Sequence, residues 1–199
     1  MRLDMRKWNA VRPLIRARLL SEGQHDLSNI VKKKIGADIY LTFYIALPSP
    51  EGEVVAWEVS PPFLDYWKGV DVDTLECVAK ENMAGRTTLT KLSDMLKAYI
   101  KTADGNDAAV YIISTKNAMY GASAILSEEV QARLDDLFPH GSILLPSSLH
   151  EMLVLNAEGA DVKALKKMVH DINRSGVVSE DDVLSDSLLR YENGEIKSA

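Results

Sequence analysis

The sequence predicts an α+β fold: an antiparallel or mixed sheet built from successive ββα units, with helices packed on it and a helical arm at the N-terminus. Three observations predict it. The hydrophobic period switches repeatedly between helix-like and strand-like spacing. Runs rich in β-branched and aromatic residues come in pairs: "ADIYLTFYIAL" with "VVAWEVS", "AAVYIIST" with "YGASAIL", "GSILLP" with "HEMLVLN". Each pair is followed by an amphipathic or capped helical stretch, the order expected of hairpins carrying helices on one face. With 199 residues, 46% of them hydrophobic, the chain can bury a core without disulfides or metals.

Taken in order, "MRLDMRKWNAVRPLIRARLLSEG" places Trp8, Val11, Ile15 and Leu19 three and four residues apart, an amphipathic helix interrupted near Pro13. "DLSNIVKKKIG" reads as a second short helix. Together they make residues 1–35 a basic helical arm on an α+β domain of residues 36–199, the two forming one structural unit. The first hairpin turns through "PSPEG". Three helices follow. The first, "PPFLDYWKG", starts on prolines and stops at Gly69. The second, "DTLECVAKENM", opens with Asp73 and Glu76 at capping-box spacing. The third, "TTLTKLSDMLKAYIK", sets Leu89, Leu92, Leu96 and Ile100 on one side, and Asp104–Asp107 then form a turn. "SEEVQARLDDLF" is a helix with Ser127 at its N-cap and Glu128 and Glu129 in its first turn. "DVKALKKMVHDINRS" is a helix with Val162, Leu165, Met168, Val169 and Ile172 inward. "VSEDDVLSDSLLRYE" closes the chain with a short capped helix and a fraying polar tail.

Charge and composition narrow the function classes. Cys77 is the single cysteine, so no internal disulfide forms, in keeping with a reducing cytoplasm; its place in a helical pattern suggests a small buried hydrophobe. No apolar run reaches the roughly 18 residues needed to span a membrane. The charged N-terminus does not resemble a secretory signal. A soluble, cytoplasmic protein is expected. The net charge is −6, yet residues 1–34 hold nine Lys and Arg against three Asp and Glu. Such an asymmetry fits nucleic acid or a membrane surface, and equally packing of the arm on its own acidic body or on a sister subunit.

Motifs for chemistry are sparse. His25, His140, His150 and His170 show no H-x-x-x-H or H-E-x-x-H spacing and there is no C-x-x-C, so no metal is expected. Phosphate-cradling glycine patterns are also missing, and no cofactor is expected. The segment "ILLPSSLHEMLVL" concentrates Ser147, Ser148, His150 and Glu151 behind Pro146. A hydrolase needs a nucleophile, a base and an orienting acid within hydrogen-bond reach, usually from separate loops. Here Ser148 and His150 fall on one face of an extended chain, Glu151 points away, and no Gly-x-Ser-x-Gly elbow exists. Ser148-x-x-Glu151 instead matches a capping box. Asp186 and Arg190 of "LSDSLLRYE" could join His150 and Glu151 in a polar cleft, or pair structurally with neighbours.

"VYIISTKNAMYGASAIL", "ILLPSSLHEMLVL", "LKKMVHDIN" and "VLSDSLLRY", in this order, resemble the motif series of an uncharacterised bacterial family, a domain of unknown function common in Gram-positive gut bacteria. "ADIYLTFYIAL" and "VVAWEVSPPFLDYWKGVDVDTLECVAKEN" resemble its upstream part, so the resemblance spans roughly residues 8–192. The matched positions are Gly121, Ala122, Pro146, Ser147, Ser148, His150, Glu151, Asn173, Ser185, Asp186 and Tyr191. Ser114-Thr115-Lys116 departs from the family's Thr-Asn-Lys. The resemblance implies no activity for any of these residues.

The sequence thus predicts a non-enzymatic binding or interaction module, with a protein partner or a second copy of itself and no membrane. A hydrolase-like enzyme around Ser148, His150, Glu151 and Asp186, with Ser147 or Ser148 as nucleophile, is the first alternative. A nucleic-acid-associated protein using the basic arm is the second.

Overall fold

The computed structural model describes residues 3–49, 54–97 and 109–199. The Pro50–Gly52 part of the first predicted turn, the end of the helix predicted over 87–101 and the predicted Asp104–Asp107 turn lie outside the described residues. The fold is α+β, with every described strand pair antiparallel. The first sheet contains β1 (Ile15–Ser21), β2 (Lys32–Gly36), β3 (Ile39–Pro48) and β4 (Val54–Glu58). β3 is its centre, flanked by β1 on one side and by β2 and β4 on the other. The second sheet runs β10-β9-β7-β8-β6-β5, from β5 (Thr87–Lys91), β6 (Tyr111–Thr115), β7 (Ser142–Leu145), β8 (Glu151–Asn156), β9 (Leu189–Glu192) and β10 (Glu195–Ser198). The helices are α1 (Trp8–Val11), α2 (Pro61–Tyr66), α3 (Val72–Glu81), α4 (Leu92–Lys97), α5 (Glu128–Leu137) and α6 (Val162–Arg174). Among the described residues no helix is long and apolar enough to cross a membrane.

One core joins the two sheets. Ile15, Leu19, Leu41 and Phe43 from the first meet Leu144, Met152 and Val154 from the second, with Leu75 of α3 and Leu134 of α5. A smaller cluster lies on the opposite face of the second sheet, where Ile143, Leu145, Leu153 and Leu155 meet Val162, Leu165 and Val169 of α6. Because both faces of β7 are covered, all four of its residues are buried, and the segment reads as a continuous apolar run without alternation. Asp161 caps α6, its side chain accepting from the Lys163 and Ala164 amides at 3.1 Å.

The predicted helical arm is corrected. Among the described residues of the arm Trp8–Val11 alone is α-helical, followed by a 3-10 turn over Arg12–Leu14 with Pro13 as its second residue. Ile15–Ser21 is a strand paired with β3 from Ile15↔Ile45 to Ser21↔Ile39. The spacing of Val11, Ile15 and Leu19 fits a helix, but the alternation Ile15, Ala17, Leu19 fits a strand equally, and pairing with β3 decides between them. The second predicted helix is corrected likewise: Lys32–Gly36 forms β2, with Lys33 pointing to Asp73 and Glu76 at 2.8 Å. Trp67 pins the N-terminal turn from below. Its indole N–H donates to the Met5 carbonyl at 2.9 Å, and Trp8 and Phe63 pack on its ring.

Four further expectations give way. Thr87–Lys91 is a strand, leaving Leu92–Lys97 as the helical part of "TTLTKLSDMLKAYIK". "GASAIL" forms a 3-10 helix where a strand was predicted, buried throughout. The C-terminal segment forms a hairpin in place of a helix and frayed tail: Leu189 and Tyr191 turn inward and Asn193-Gly194, at φ 50° and 82°, reverses the chain into β10. An Asn-Gly pair is the residue combination a two-residue hairpin loop demands. Cys77 is exposed, the polar side of α3 carrying it outward.

Candidate functional site

The end of β6, the 3-10 helix at Gly121–Leu126, the strand-connecting segment Pro146–His150 and the segment Asp182–Ser185 converge on one point. Pro146–Leu149 and Asp182–Ser185 run antiparallel and bond in sequence: Leu149 N–H to Asp182 O at 2.8 Å, Leu184 N–H to Ser147 O at 3.3 Å, and Ser185 N–H to Pro146 O at 2.9 Å. Ser148 is buried, and its Oγ accepts from the His150 amide at 3.0 Å. The capping box does not form, since Glu151 begins β8 opposite Ser114 and is exposed. Ser148 nonetheless satisfies a backbone amide at the bend, the work a capping serine does.

His150 is held through both ring nitrogens. Nδ1 accepts from the Tyr120 amide at 3.3 Å, which leaves Nε2–H to donate to Asp182 Oδ1 at 3.1 Å. Tyr120 stacks on the imidazole with centroids 5.8 Å apart. It does so from a left-handed backbone, φ 50° and ψ 36°, a conformation costing a non-glycine residue on the order of 1–2 kcal/mol. The His150 bond and the stacking offset that strain. Gly121 follows because no side chain fits: a Cβ there would collide with the His150 carbonyl and the Ser114 hydroxyl and come within 2.8 Å of the Thr115 nitrogen. Ser114 Oγ donates to that same carbonyl at 2.7 Å.

The sites predicted from sequence therefore separate. Ser148 and His150 meet through a backbone amide, while Ser147 enters the network through its carbonyl. Asp186 lies with Asn173 and Arg174, accepting from them at 2.9 and 2.8 Å; burial opposes its ionisation, but these two donors hold the carboxyl below its ordinary value. Arg190 bonds Glu192 and the His140 carbonyl. Tyr191 donates to Asp135 at 3.1 Å, and burial pushes its phenol up to about 12. Ser185 donates to both oxygens of Asp38, fastening the two sheets together.

His150 and Asp182 face a cavity of about 450 Å³ whose other walls come from the first sheet (Arg18 and Glu58), the loop between β1 and β2 (His25 and Asp26) and Tyr120, with Asp181 beside Asp182. Arg18 is the residue that sequence reasoning left in the basic arm. It is 7% exposed. Its guanidinium donates to Glu58 at 2.6 Å and lies 5.0 Å from the centre of the Tyr120 ring, yet its Nε has no partner among the described residues. His25 also presents a buried Nδ1 without a partner of good geometry. Burial pushes this imidazole below its ordinary value, against the Ser21 carbonyl, so His25 is neutral at pH 7. The "RAR" alternation inside an apolar run was the available signal, since Arg16 and Arg18 must share a face if the segment is a strand. Among the described residues no group of three or more His, Cys, Asp or Glu is placed to hold a metal.

Much of the basic charge of residues 1–34 is spent within the chain. Arg12 pairs with Glu81, Lys33 with Asp73 and Glu76, and Arg18 with Glu58. Lys32 and Lys34 lie over the Tyr40 ring at 5.4 and 5.7 Å.

The sequence profile of a family of unknown function (DUF5688) matches residues 3–193. The chain belongs to that family. No curated protein and no solved structure matches it. The match covers every element that builds the cavity, from β1 to the Asp182–Ser185 segment.

Proposed function

We propose that this protein is a binding module that takes a small polar ligand in the cavity between Arg18 and His150, and that it breaks no bond there. The carrying observation is Arg18, a buried cation in the wall of a cavity of about 450 Å³, whose Nε has no acceptor among the described residues. A buried donor left unpaired costs about 1–3 kcal/mol, so an acceptor on a bound ligand would recover that cost. Asp26, Asp181 and Glu58 would take N–H or O–H donors on the same ligand. A zwitterion or a polyol fits this mixture.

Against hydrolysis stands the engagement of Ser148 and His150. Ser148 Oγ accepts from an amide, and both nitrogens of His150 are committed, so no free base faces a hydroxyl. Against nucleic acid stands the pairing of Arg12, Arg18 and Lys33 with carboxylates.

The test is a thermal-shift panel of the twenty free amino acids and common polyols against the wild type and His25→Ala. A saturable stabilisation lost in His25→Ala is expected. No stabilisation by any member would overturn the polar-ligand reading. Ester turnover with p-nitrophenyl acetate checks the other half. A rate changed less than about twofold by Ser148→Ala is expected, whereas a nucleophilic serine would lose orders of magnitude.

A further inference from the structure

A second cavity, of about 460 Å³, lies on the other side of Tyr44 and is lined by three cations, Arg16, Arg86 and Lys116, with no carboxylate among the described lining residues. This is unusual on a chain of net charge −6. Its geometry follows from the strand pairing. Arg16 stands opposite Tyr44 on the β1–β3 ladder. Arg86 and Lys116 flank the last pair of the β5–β6 ladder, Thr87↔Thr115, where the Lys116 amide donates to the Arg86 carbonyl at 2.8 Å. Two strand ends from one sheet thus bring their cations against a third from the other.

Neither Arg86 nor Lys116 has an acidic partner among the described residues. Arg16 donates through Nη1 to the Pro13 and Ile15 carbonyls at 2.9 and 2.8 Å, and its other guanidinium nitrogens have no partner among the described residues. Burial, and then the charge of Arg86, push Arg16 below its ordinary value. Like charges gathered without counter-charge destabilise one another unless an anion joins them. Tyr44, 5% exposed, adds a phenol that burial pushes up to about 12, so it remains a neutral donor. Leu14, Met83 and Met119 supply apolar wall, and flexible methionines accommodate variable shapes.

We propose that this cavity binds an amphiphilic anion, a carboxylate with an aliphatic body, its head on Arg16, Arg86 and Lys116 and its chain on the Leu14–Met83–Met119 wall. At about 30 Å³ per non-hydrogen group in a condensed phase, the volume holds roughly fifteen such atoms, enough for a ten-carbon fatty acid. Three cations and one phenol match a single carboxylate by bidentate Arg pairing plus a point charge from Lys. This inference stands apart from the Arg18–His150 cavity, whose lining shares none of these residues.

Calorimetric titration of the full chain with decanoate, decanol and inorganic phosphate tests it. Saturable decanoate binding is expected, at least tenfold tighter than decanol or phosphate, and weakened tenfold or more by Arg86→Gln or Lys116→Gln. Both residues are exposed, so these variants keep the fold, and an unchanged melting curve checks that. Failure of decanoate to bind overturns the proposal. So does equal binding of decanol, which would make the site merely apolar, or equal binding of phosphate, which would remove the apolar half. Decanoate affinity unaltered in both variants would place the anion elsewhere and also overturn it.

Discussion

Gly121→Ala offers a sharp perturbation of the His150 network, because one added methyl meets three fixed groups at once. Its Cβ would overlap the His150 carbonyl oxygen and the Ser114 hydroxyl, and would stand 2.8 Å from the Thr115 nitrogen. Two of the three are backbone atoms, and the hydroxyl is tied to the His150 carbonyl at 2.7 Å, so no flexible chain end can yield. Forcing extra volume into a packed site costs roughly 1–3 kcal/mol or more, and here the upper end applies. For a domain of this size each kcal/mol lowers Tm by about 2–4 °C, so a fall of roughly 6–12 °C is expected. Gly176→Ala is the control. It has φ +78° but nothing within 4 Å of the added atom, so it pays only the left-handed strain of about 1 kcal/mol and loses a few degrees. Thermal melts of both variants beside the wild type decide the matter. If Gly121→Ala melts within about 2 °C of Gly176→Ala, close approach is not what requires the glycine.

Three other outcomes are expected. Asp161→Ala removes the acceptor for two amides at the start of α6 and should cost about 1 kcal/mol, read as a denaturation-midpoint shift with unchanged slope. Tyr44 and Tyr191 are each pushed up to about 12. Their folded pKa exceeds the unfolded value near 10, so the stability they contribute is complete below pH ~10 and is lost as pH rises through ~12; phenolate absorbance should show two late tyrosines that merge with the rest on unfolding. His25 is pushed down by burial, so its contribution is present above the unfolded value of about 6.5 and is lost as pH falls through the lower folded value. His25→Asn should therefore flatten the acid side of the stability profile, measured by denaturant unfolding at pH 5 and pH 7; an unchanged slope would show that His25 does not titrate on unfolding.

The parts of the fold carried by a single dominant period were legible. α3, α5 and α6 each have one apolar face and an acidic or capped start, and their centres were placed correctly from sequence. β1 was not, because the residues that satisfy a helical spacing also satisfy alternation, and only β3 supplies the missing information. "GASAIL" defeated prediction for another reason. Its small apolar residues suit a buried strand, but Gly121 is pressed against the His150 carbonyl, and the Ala122 amide bonds Leu149 O where a strand partner would have been. In the site, Ser148 and His150 were visible as a polar break in an apolar run. Asp182 and Arg18 were not: one sits among several acidic residues, the other looked like one more charge on a basic arm.

The wall positions of the Arg18–His150 cavity are far apart along the chain, with Arg18 and His25 near one end and Asp182 near the other. On a ribosome adding about 5–20 residues per second, the stretch from His25 to Asp182 takes roughly 8–30 s to appear. Glu58, the partner of Arg18, emerges early in that interval, but His150 and Asp182 on the opposite wall do not. All four strands of the first sheet have been made by Glu58, whereas the cavity closes only once Asp182 has emerged.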